Sequence, residues 1–291
     1  MQWTCWILCS AFFLALYDLA KKASVRDNAV LPVLLCSTSF GCVAFLLAVA
    51  LHGDMSAMFH VSLETLFLAL SKSVIVATSW VFTFCALRTL PISIATPIRA
   101  SAPALVFVFA LFIYGEIPGC VQAIGMAVTF AGYWVFSWAG RHEGIDFFRN
   151  RAVWCAIAGA CCSAVSSLWD KYCFQVRAAS VEVVQFWFQI GLVAVYGMLL
   201  SGQRLLGMGR ARFEWRWTIP FVGILLACAD WLYFTGLAIP DVPISIASLM
   251  RRFSVALTFI LGARFFHETN LCRKGIALAL ILLGITLLCI A

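Results

Sequence analysis

The chain alternates long apolar stretches with short polar segments. Ten such stretches predict helices at residues 3–22, 29–51, 63–87, 92–114, 120–139, 152–172, 183–200, 218–238, 243–265 and 274–291. A helix that crosses a bilayer needs about 20 mainly apolar residues. The pattern therefore predicts an all-α integral membrane protein with ten transmembrane helices.

One segment occurs twice. Residues 91–116 read PISIATPIRASAPALVFVFALFIYGE, and residues 243–268, which begin 152 positions later, read PISIASLMRRFSVALTFILGARFFHE. The matched proline, arginine and glutamate are stronger evidence than the shared apolar residues. We predict a duplicated chain, with a first repeat at 1–140, a linker at 141–151 and a second repeat at 152–291. Five helices per repeat invert the second repeat relative to the first, a design that recurs in secondary transporters.

Composition supports a membrane location. Of 291 residues, 64% are hydrophobic and 11% are charged, whereas soluble domains contain about 25% charged residues. The thirteen cysteines lie mostly in apolar stretches, where they act as small buried hydrophobic residues. Neither metal-ligand spacing nor a solvated basic domain is evident, so we predict no metal, no cofactor and no nucleic-acid partner.

Lysine and arginine are concentrated in the segments that follow odd-numbered predicted helices, whereas the segments after even-numbered helices hold little beyond Lys171 and Arg177. Short loops rich in these residues stay in the cytoplasm. The charge pattern therefore predicts that the odd-numbered loops are cytoplasmic and that both termini lie outside.

Each half resembles one repeat of the ten-helix EamA type within the drug/metabolite transporter superfamily. The similar features are the PISIA segment that opens the fourth helix of each half, a glutamate that closes it, and spaced glycines in the fifth helix (Glu116, Glu268, Gly125, Gly132, Gly275 and Gly284). The resemblance implies a central cavity, alternating-access transport of small metabolites and a bacterial inner-membrane location. It also implies cytoplasmic termini, which conflicts with the charge pattern. The glycines suit close helix packing or a homodimer face, and each glutamate is expected to cap the helix that follows it.

Charged residues inside the predicted helices are the first candidates for a binding site, because burying a charge in a bilayer is costly. Arg99 and Arg251 occupy matched positions in the two repeats. A guanidinium group binds carboxylate or phosphate through two parallel hydrogen bonds. The pair therefore favours an anionic or zwitterionic substrate, with snorkelling to the membrane surface or a structural ion pair as the alternatives.

Four further charges are candidates. Asp18 and Asp170 also match between the repeats and lie near helix ends beside lysines. They could pair with the arginines, couple transport to protons, or form local surface pairs. Lys72 and Asp230 lie in mid-helix and are expected to have the fewest partners. An unpaired intramembrane aspartate needs a cation or a proton, so Asp230 also suits proton coupling.

Aromatic and amide side chains complete the predicted cavity lining, namely Trp80, Trp231, Tyr233, Gln185 and Gln189. The two glutamines are four residues apart and share a helix face. Tryptophan and tyrosine also anchor helices at membrane surfaces, and glutamines also join helices by hydrogen bonds.

These features predict a secondary active transporter for a small anionic or zwitterionic metabolite, such as an amino acid or a nucleotide-related compound. The alternatives are an exporter of hydrophobic or cationic compounds, a channel and a membrane scaffold. We do not expect an enzyme, because the four histidines fall in or beside loops. The expected partners are the substrate and membrane lipid.

Overall fold

The computed structural model describes residues 2–25, 28–52, 55–89, 102–138, 151–206 and 212–254, together with 257–258, 261, 276, 279–284 and 286–287. The helices are α1 (Gln2–Val25), α2 (Val30–His52), α3 (Leu63–Thr89), α4 (Ala102–Tyr114), α5 (Cys120–Trp138), α6 (Arg151–Lys171), α7 (Val181–Leu205), α8 (Thr218–Leu237) and α9 (Ile244–Arg251). A single helical turn at Met55–Phe59 precedes α3, and a π-helical turn at Tyr172–Val176 extends α6.

The elements of the described part are all helical, as the apolar pattern predicts. Six of them, α1, α2, α3, α6, α7 and α8, are long and apolar enough to cross a membrane. Two shorter apolar segments, Leu105–Tyr114 and Cys120–Gly132, lie in α4 and α5. Most of the tenth predicted helix lies outside the described residues.

Two pairs of helices, α1 with α8 and α3 with α6, pack antiparallel and are joined by hydrogen bonds. In the pair of α1 and α8, Ser10 donates to the carbonyl oxygen of Ala229 at 2.6 Å, and the hydroxyls of Ser24 and Thr218 lie 2.6 Å apart. In the pair of α3 and α6, Ser79 donates to the carbonyl oxygen of Gly159 at 2.8 Å. Such bonds between membrane helices contribute on average about 0.6 kcal/mol each.

Glycine allows α2 and α8 to touch backbone to backbone. A methyl group on Gly41 would lie 2.6 Å from the carbonyl oxygen of Gly223, and a methyl group on Gly223 would overlap the carbonyl oxygen of Ser37. Gly284 makes a similar approach to α5, where a methyl group would meet the carbonyl oxygen of Gly125 at 2.6 Å. This pair of predicted packing glycines therefore packs within one chain.

The bundle has two ends, which we name by their contacts. At the proximal end, where α1 finishes and α8 begins, Asn28 donates to the carbonyl oxygen of Glu214 at 2.7 Å. At the distal end, where α8 finishes and α9 begins, the amide of Gln175 donates to the carbonyl oxygens of Leu237 at 3.0 Å and Val242 at 2.9 Å. The π-helical turn after α6 places Gln175 at this junction.

Candidate functional site

A narrow cleft lies between α1, α2, α3, α7 and α8 and has a cavity volume of about 10 Å³. Its polar lining consists of Tyr17, Ser37, Thr38, Trp80, Gln189 and Asp230. The cleft lies mainly in the proximal half, because it includes Val222 and Gly223 from the first turns of α8. A cavity of this size holds about one water molecule, so a metabolite can enter only when the helices around the cleft move apart.

An aromatic wall with a cation beside it forms the proximal part of the cleft. The ring of Trp80 stacks on that of Tyr196, with centroids 6.3 Å apart and planes at 23°. The ammonium nitrogen of Lys21 lies 5.6 Å from the Trp80 ring centroid and 5.3 Å from that of Tyr17. Aromatic faces attract cations, so the two rings hold the Lys21 ammonium against the cleft wall.

The two glutamines of α7 have different surroundings. Gln189 lines the cleft and is 5% exposed, and its Oε1 has no hydrogen-bond partner among the described residues. Gln185 is fully buried and does not line the cleft. Its Nε2 donates to the carbonyl oxygen of Ala227 at 3.4 Å, and its Oε1 likewise has no partner among the described residues. Gln189 therefore offers an acceptor to a ligand, whereas Gln185 joins α7 to α8.

One residue of the cleft lining belongs to an ion pair. Asp230 lines the cleft from α8, and its Oδ1 accepts a hydrogen bond from the Nη2 of Arg251 at the end of α9. The guanidinium carbon lies 4.3 Å from the centroid of the Tyr233 ring. The Nε of Arg251 is buried and has no partner among the described residues. Arg251 thus keeps one donor available while it neutralises Asp230.

A second ion pair lies behind the cleft wall. Lys72 of α3 donates to Asp170 of α6, and both side chains are buried. The Lys72 ammonium lies 3.7 Å from the centroid of the Phe234 ring and 4.8 Å from that of Phe188, which lines the cleft. Arg251 and Asp230 are close enough to act electrostatically on Asp170. The four charges therefore form one cluster, in which three side chains are buried and Arg251 is partly exposed. We call it the charge cluster (Lys72, Asp170, Asp230 and Arg251).

The structure corrects the expectation that Lys72 and Asp230 have the fewest partners, because each has an oppositely charged partner on another helix. Asp170 likewise pairs across helices with Lys72 and not with the adjacent Lys171. These pairs join positions 98 and 21 residues apart. At such distances along the sequence, no short-range spacing predicts which residues pair.

The remaining predicted site residues fall in different places. Trp231 packs edge-on against Trp6, with centroids 6.1 Å apart, and is not part of the cleft lining. Tyr233 is buried beneath Arg251. Asp18 lies on α1 next to Tyr17 and is not part of that lining either. Arg99 lies outside the described residues.

Sequence reasoning misses the hydroxyls of α2 and the position of Lys21. Ser37 and Thr38 line the cleft while they donate to the carbonyl oxygen of Leu34, one turn back. The sequence pattern predicts that the first helix ends at residue 22, directly after Lys21, but α1 continues to Val25 and keeps Lys21 one turn inside the helix. The four-residue spacing from Tyr17 to Lys21 is the available signal, because it places both side chains on one helix face.

Comparison with known proteins agrees with the fold. Residues 1–138 match the family model described as the EamA-like transporter family. A solved structure described as "Crystal structure of protein" matches with a TM-score of 0.74 at 19% identity, over 98% of this chain and 94% of that one; at this identity the likeness shows the fold alone. No curated protein matches the chain. The family resemblance is confirmed, and the chain is an integral, multi-pass membrane protein.

Proposed function

We propose, from the premise that this chain is an EamA-like membrane transporter, that it is a secondary carrier for a small anionic or zwitterionic metabolite. The observation that supports this most directly is Asp230 in the cleft wall, with Arg251 paired to it and the Arg251 Nε unpartnered among the described residues. A substrate carboxylate or phosphate can bind the guanidinium, and a substrate ammonium can bind Asp230 and the free oxygen of Gln189. Lys21 adds a cation at the proximal wall.

The proposed architecture is ten transmembrane helices in two inverted repeats of five. The packing supports it through matched contacts between the halves. The first helix of one half packs on the third helix of the other, as α1 does on α8 and α6 does on α3. The second helix of one half also touches the third of the other, as α2 does at α8 and α7 does at α3. A two-fold axis in the membrane plane would produce this exchange.

The position of the cleft supports the proposal of alternating access. The cleft occupies the proximal half, while hydrogen bonds from Gln175 join α6 to the end of α8 at the distal end. Rocking of the repeats would open the distal end and close the proximal one. Asp230 is the coupling group that we favour over Asp18 and Asp170. When Arg251 turns to the substrate, the buried Asp230 carboxylate loses its cation and binds a proton.

The test is thermal stability of the purified protein against anionic, zwitterionic, cationic and neutral metabolites. A ligand at 100 times its Kd stabilises by about 2.7 kcal/mol, which raises the melting temperature measurably. We expect the largest shifts from anionic or zwitterionic compounds. The double variant Asp230→Asn/Arg251→Gln should abolish them without leaving a buried charge unpaired.

A matched control removes an ion pair of the same kind from the surface. Arg177 and Glu64 pair at the distal end, where both side chains are about half exposed, so Glu64→Gln/Arg177→Gln should leave the ligand shifts intact. If only cationic or apolar compounds stabilise the protein, and the Asp230/Arg251 double variant keeps the effect, the exporter of hydrophobic or cationic compounds is the better assignment.

A further inference from the structure

Glu116 makes contacts that link the two halves of the chain. Its Oε1 accepts hydrogen bonds from the backbone N–H of Ile244 at 2.9 Å and from the Nζ of Lys171 at 2.6 Å. Its Oε2 accepts from the backbone N–H and the hydroxyl of Ser245, at 3.2 and 2.6 Å. We call these four residues the Glu116 clamp.

The chain turns at Gly115 so that Glu116 can reach α9. Gly115 has a φ of 65°, and the N–H of Glu116 donates back to the carbonyl oxygen of Ala110 at 3.4 Å. This is the left-handed C-terminal cap that glycine favours. The expectation that Glu116 caps the following helix, α5, is therefore corrected. The structure places it at the start of α9, where a carboxylate satisfies free N–H groups and interacts favourably with the helix dipole.

Both helices that the clamp joins contribute to the charge cluster. Arg251 is seven residues after Ile244, so two turns of about 3.6 residues return it to nearly the same face, about 10 Å along the axis. A short helix moves as a rigid unit, and the position of its first turn therefore determines where the Arg251 guanidinium meets Asp230. On the other side of the clamp, Lys171 directly follows Asp170 on α6.

We propose that Glu116 is a positioning residue of the transport site, which holds α9 against α6 at the distal end and thereby sets Arg251 against Asp230. Release of the clamp is the step that lets α9 move and opens the distal end. The role of this step in transport rests on the proposed function. The clamp is also expected to hold the distal end closed, and this expectation can be tested without a substrate.

Cys173 is a natural reporter for the distal end. It lies in the π-helical turn after α6 and is fully buried. Cys36, on α2 near the proximal end, is partly exposed. Modification of the full-length purified protein by N-ethylmaleimide, followed by peptide mass spectrometry, gives a separate rate for each cysteine.

We expect Glu116→Gln to raise the modification rate of Cys173 roughly tenfold, the factor that corresponds to about 1.4 kcal/mol lost from the closed state. The rate at Cys36 should stay unchanged. If both rates rise together, the variant unfolds as a whole and the clamp has a general structural role. If neither rises, the clamp does not hold the distal end.

The exchange variant Glu116→Lys/Lys171→Glu separates the helix cap from the ion pair. It keeps opposite charges at the two positions, but a lysine cannot accept hydrogen bonds from Ile244 and Ser245. We therefore expect Cys173 to remain as reactive as in Glu116→Gln. Full protection in the exchange variant would show that the ion pair suffices, and would overturn the role of the clamp in holding α9.

The same variants test the link to the site. For the tested metabolite that stabilises the wild type most, Glu116→Gln should raise the Kd roughly tenfold, because Arg251 is no longer held at Asp230. If Cys173 becomes reactive but the Kd is unchanged, the clamp closes the distal end without positioning Arg251, and the proposal fails in that part. If no compound stabilises the wild type, the proposed function fails, while the Cys173 rates still decide whether the clamp exists.

Discussion

At the scale of single residues, the contact between α2 and α8 depends on the absence of a side chain at Gly223. In Gly223→Ala, the added methyl group would overlap the carbonyl oxygen of Ser37 and lie 2.8 Å from the backbone nitrogen of Gly41. Neither backbone atom can yield without a shift of the helix. We expect a loss of about 3 kcal/mol of stability, measured as a lower melting temperature of the detergent-purified protein.

Gly197→Ala is the control, because no heavy atom lies within 4 Å of a methyl group at this position on α7. Alanine is the better helix former by up to about 1 kcal/mol, so this variant should be as stable as the wild type or slightly more so. Equal losses in both variants would contradict the close contact at Gly223.

Lys21 should determine charge selectivity in the cleft. In Lys21→Gln we expect the affinity for carboxylate-bearing ligands to fall roughly tenfold, the loss of one charge-assisted contact, with little change for the corresponding amines without a carboxylate. Arg204→Gln removes a positive charge from an exposed position at the same end of the bundle, so it controls for surface potential. A similar fall in both variants would contradict a direct role of Lys21.

Residue type identifies many of the important side chains, but not their partners. The sequence predicts that Trp80, Gln189 and Asp230 line a cavity, and all three line the cleft. Their neighbours Arg251 and Lys72 are also recognisable as charges inside apolar helices. Which cation meets which carboxylate depends on how helices from different parts of the chain pack, and one sequence contains no direct signal of that packing.

At the scale of helices, the pair of Lys72 and Asp170 joins α3 to α6 inside the bundle. Lys72→Met leaves the Asp170 carboxylate buried without a cation, which typically costs about 3–5 kcal/mol. Replacing both partners, as in Lys72→Met/Asp170→Leu, removes the uncompensated charge and should restore most of the lost stability. Melting temperatures of the two variants test this, and a double variant as unstable as the single one would contradict the pairing.

The Glu116 clamp makes the junction of α4, α6 and α9 sensitive to acid. Burial raises the pKa of the Glu116 carboxyl, but hydrogen bonds from Lys171, Ser245 and the N–H of Ile244 outweigh it and hold the pKa below its ordinary value. A carboxyl whose pKa is lower in the folded protein contributes stability above its unfolded pKa of about 4.3 and loses that contribution as the pH falls through its folded pKa.

The stability gap between the wild type and Glu116→Gln should therefore be full at neutral pH and shrink below about pH 4.3. Melting temperatures of both proteins across this range provide the measurement. If the difference in stability between the wild type and Glu116→Gln stays constant as the pH falls, the charge of Glu116 does not contribute to stability.

Helix positions could be predicted because each apolar stretch is bounded by a polar or helix-breaking segment. α2 begins at Val30 and α8 at Thr218, within one residue of expectation. The exceptions have local causes. Gly115 allows the turn that sends Glu116 to α9, and the π-helical turn at Tyr172–Val176 extends α6 to the distal junction. Apolar periodicity predicts neither which helix a capping carboxylate will meet nor where a helical turn will widen.

At the scale of the whole molecule, the basic residues at the two ends bear on how the protein is oriented in the membrane. Lys171 and Arg177 near the distal end are each paired with a glutamate, Glu116 and Glu64. At the proximal end, Arg204 is exposed at the end of α7. Arg216 donates to the carbonyl oxygen of Ala23 at 2.6 Å and lies 3.8 Å from a carboxylate oxygen of Glu214. This distribution agrees with the excess of lysine and arginine in the loops that the charge pattern assigns to the cytoplasm.

We therefore predict that the proximal end faces the cytoplasm. The test uses Arg204→Cys at the proximal end and Arg177→Cys at the distal end, in intact cells exposed to a membrane-impermeant maleimide. Peptide mass spectrometry separates these sites from the native cysteines. Arg177→Cys should react in intact cells, and Arg204→Cys only after permeabilisation.

The orientation bears directly on the direction of transport. If the proximal end is cytoplasmic, the cleft lies in the cytoplasmic half, Lys21 meets substrates that arrive from inside the cell, and the Glu116 clamp closes the outer side. The cleft, once widened, would then load a substrate for export. The reverse labelling pattern would place the clamp on the cytoplasmic side, and the same cleft would receive substrate from outside. The positive-inside rule counts lysine and arginine whether or not they are paired, so the labelling result also tests whether that rule holds for this fold.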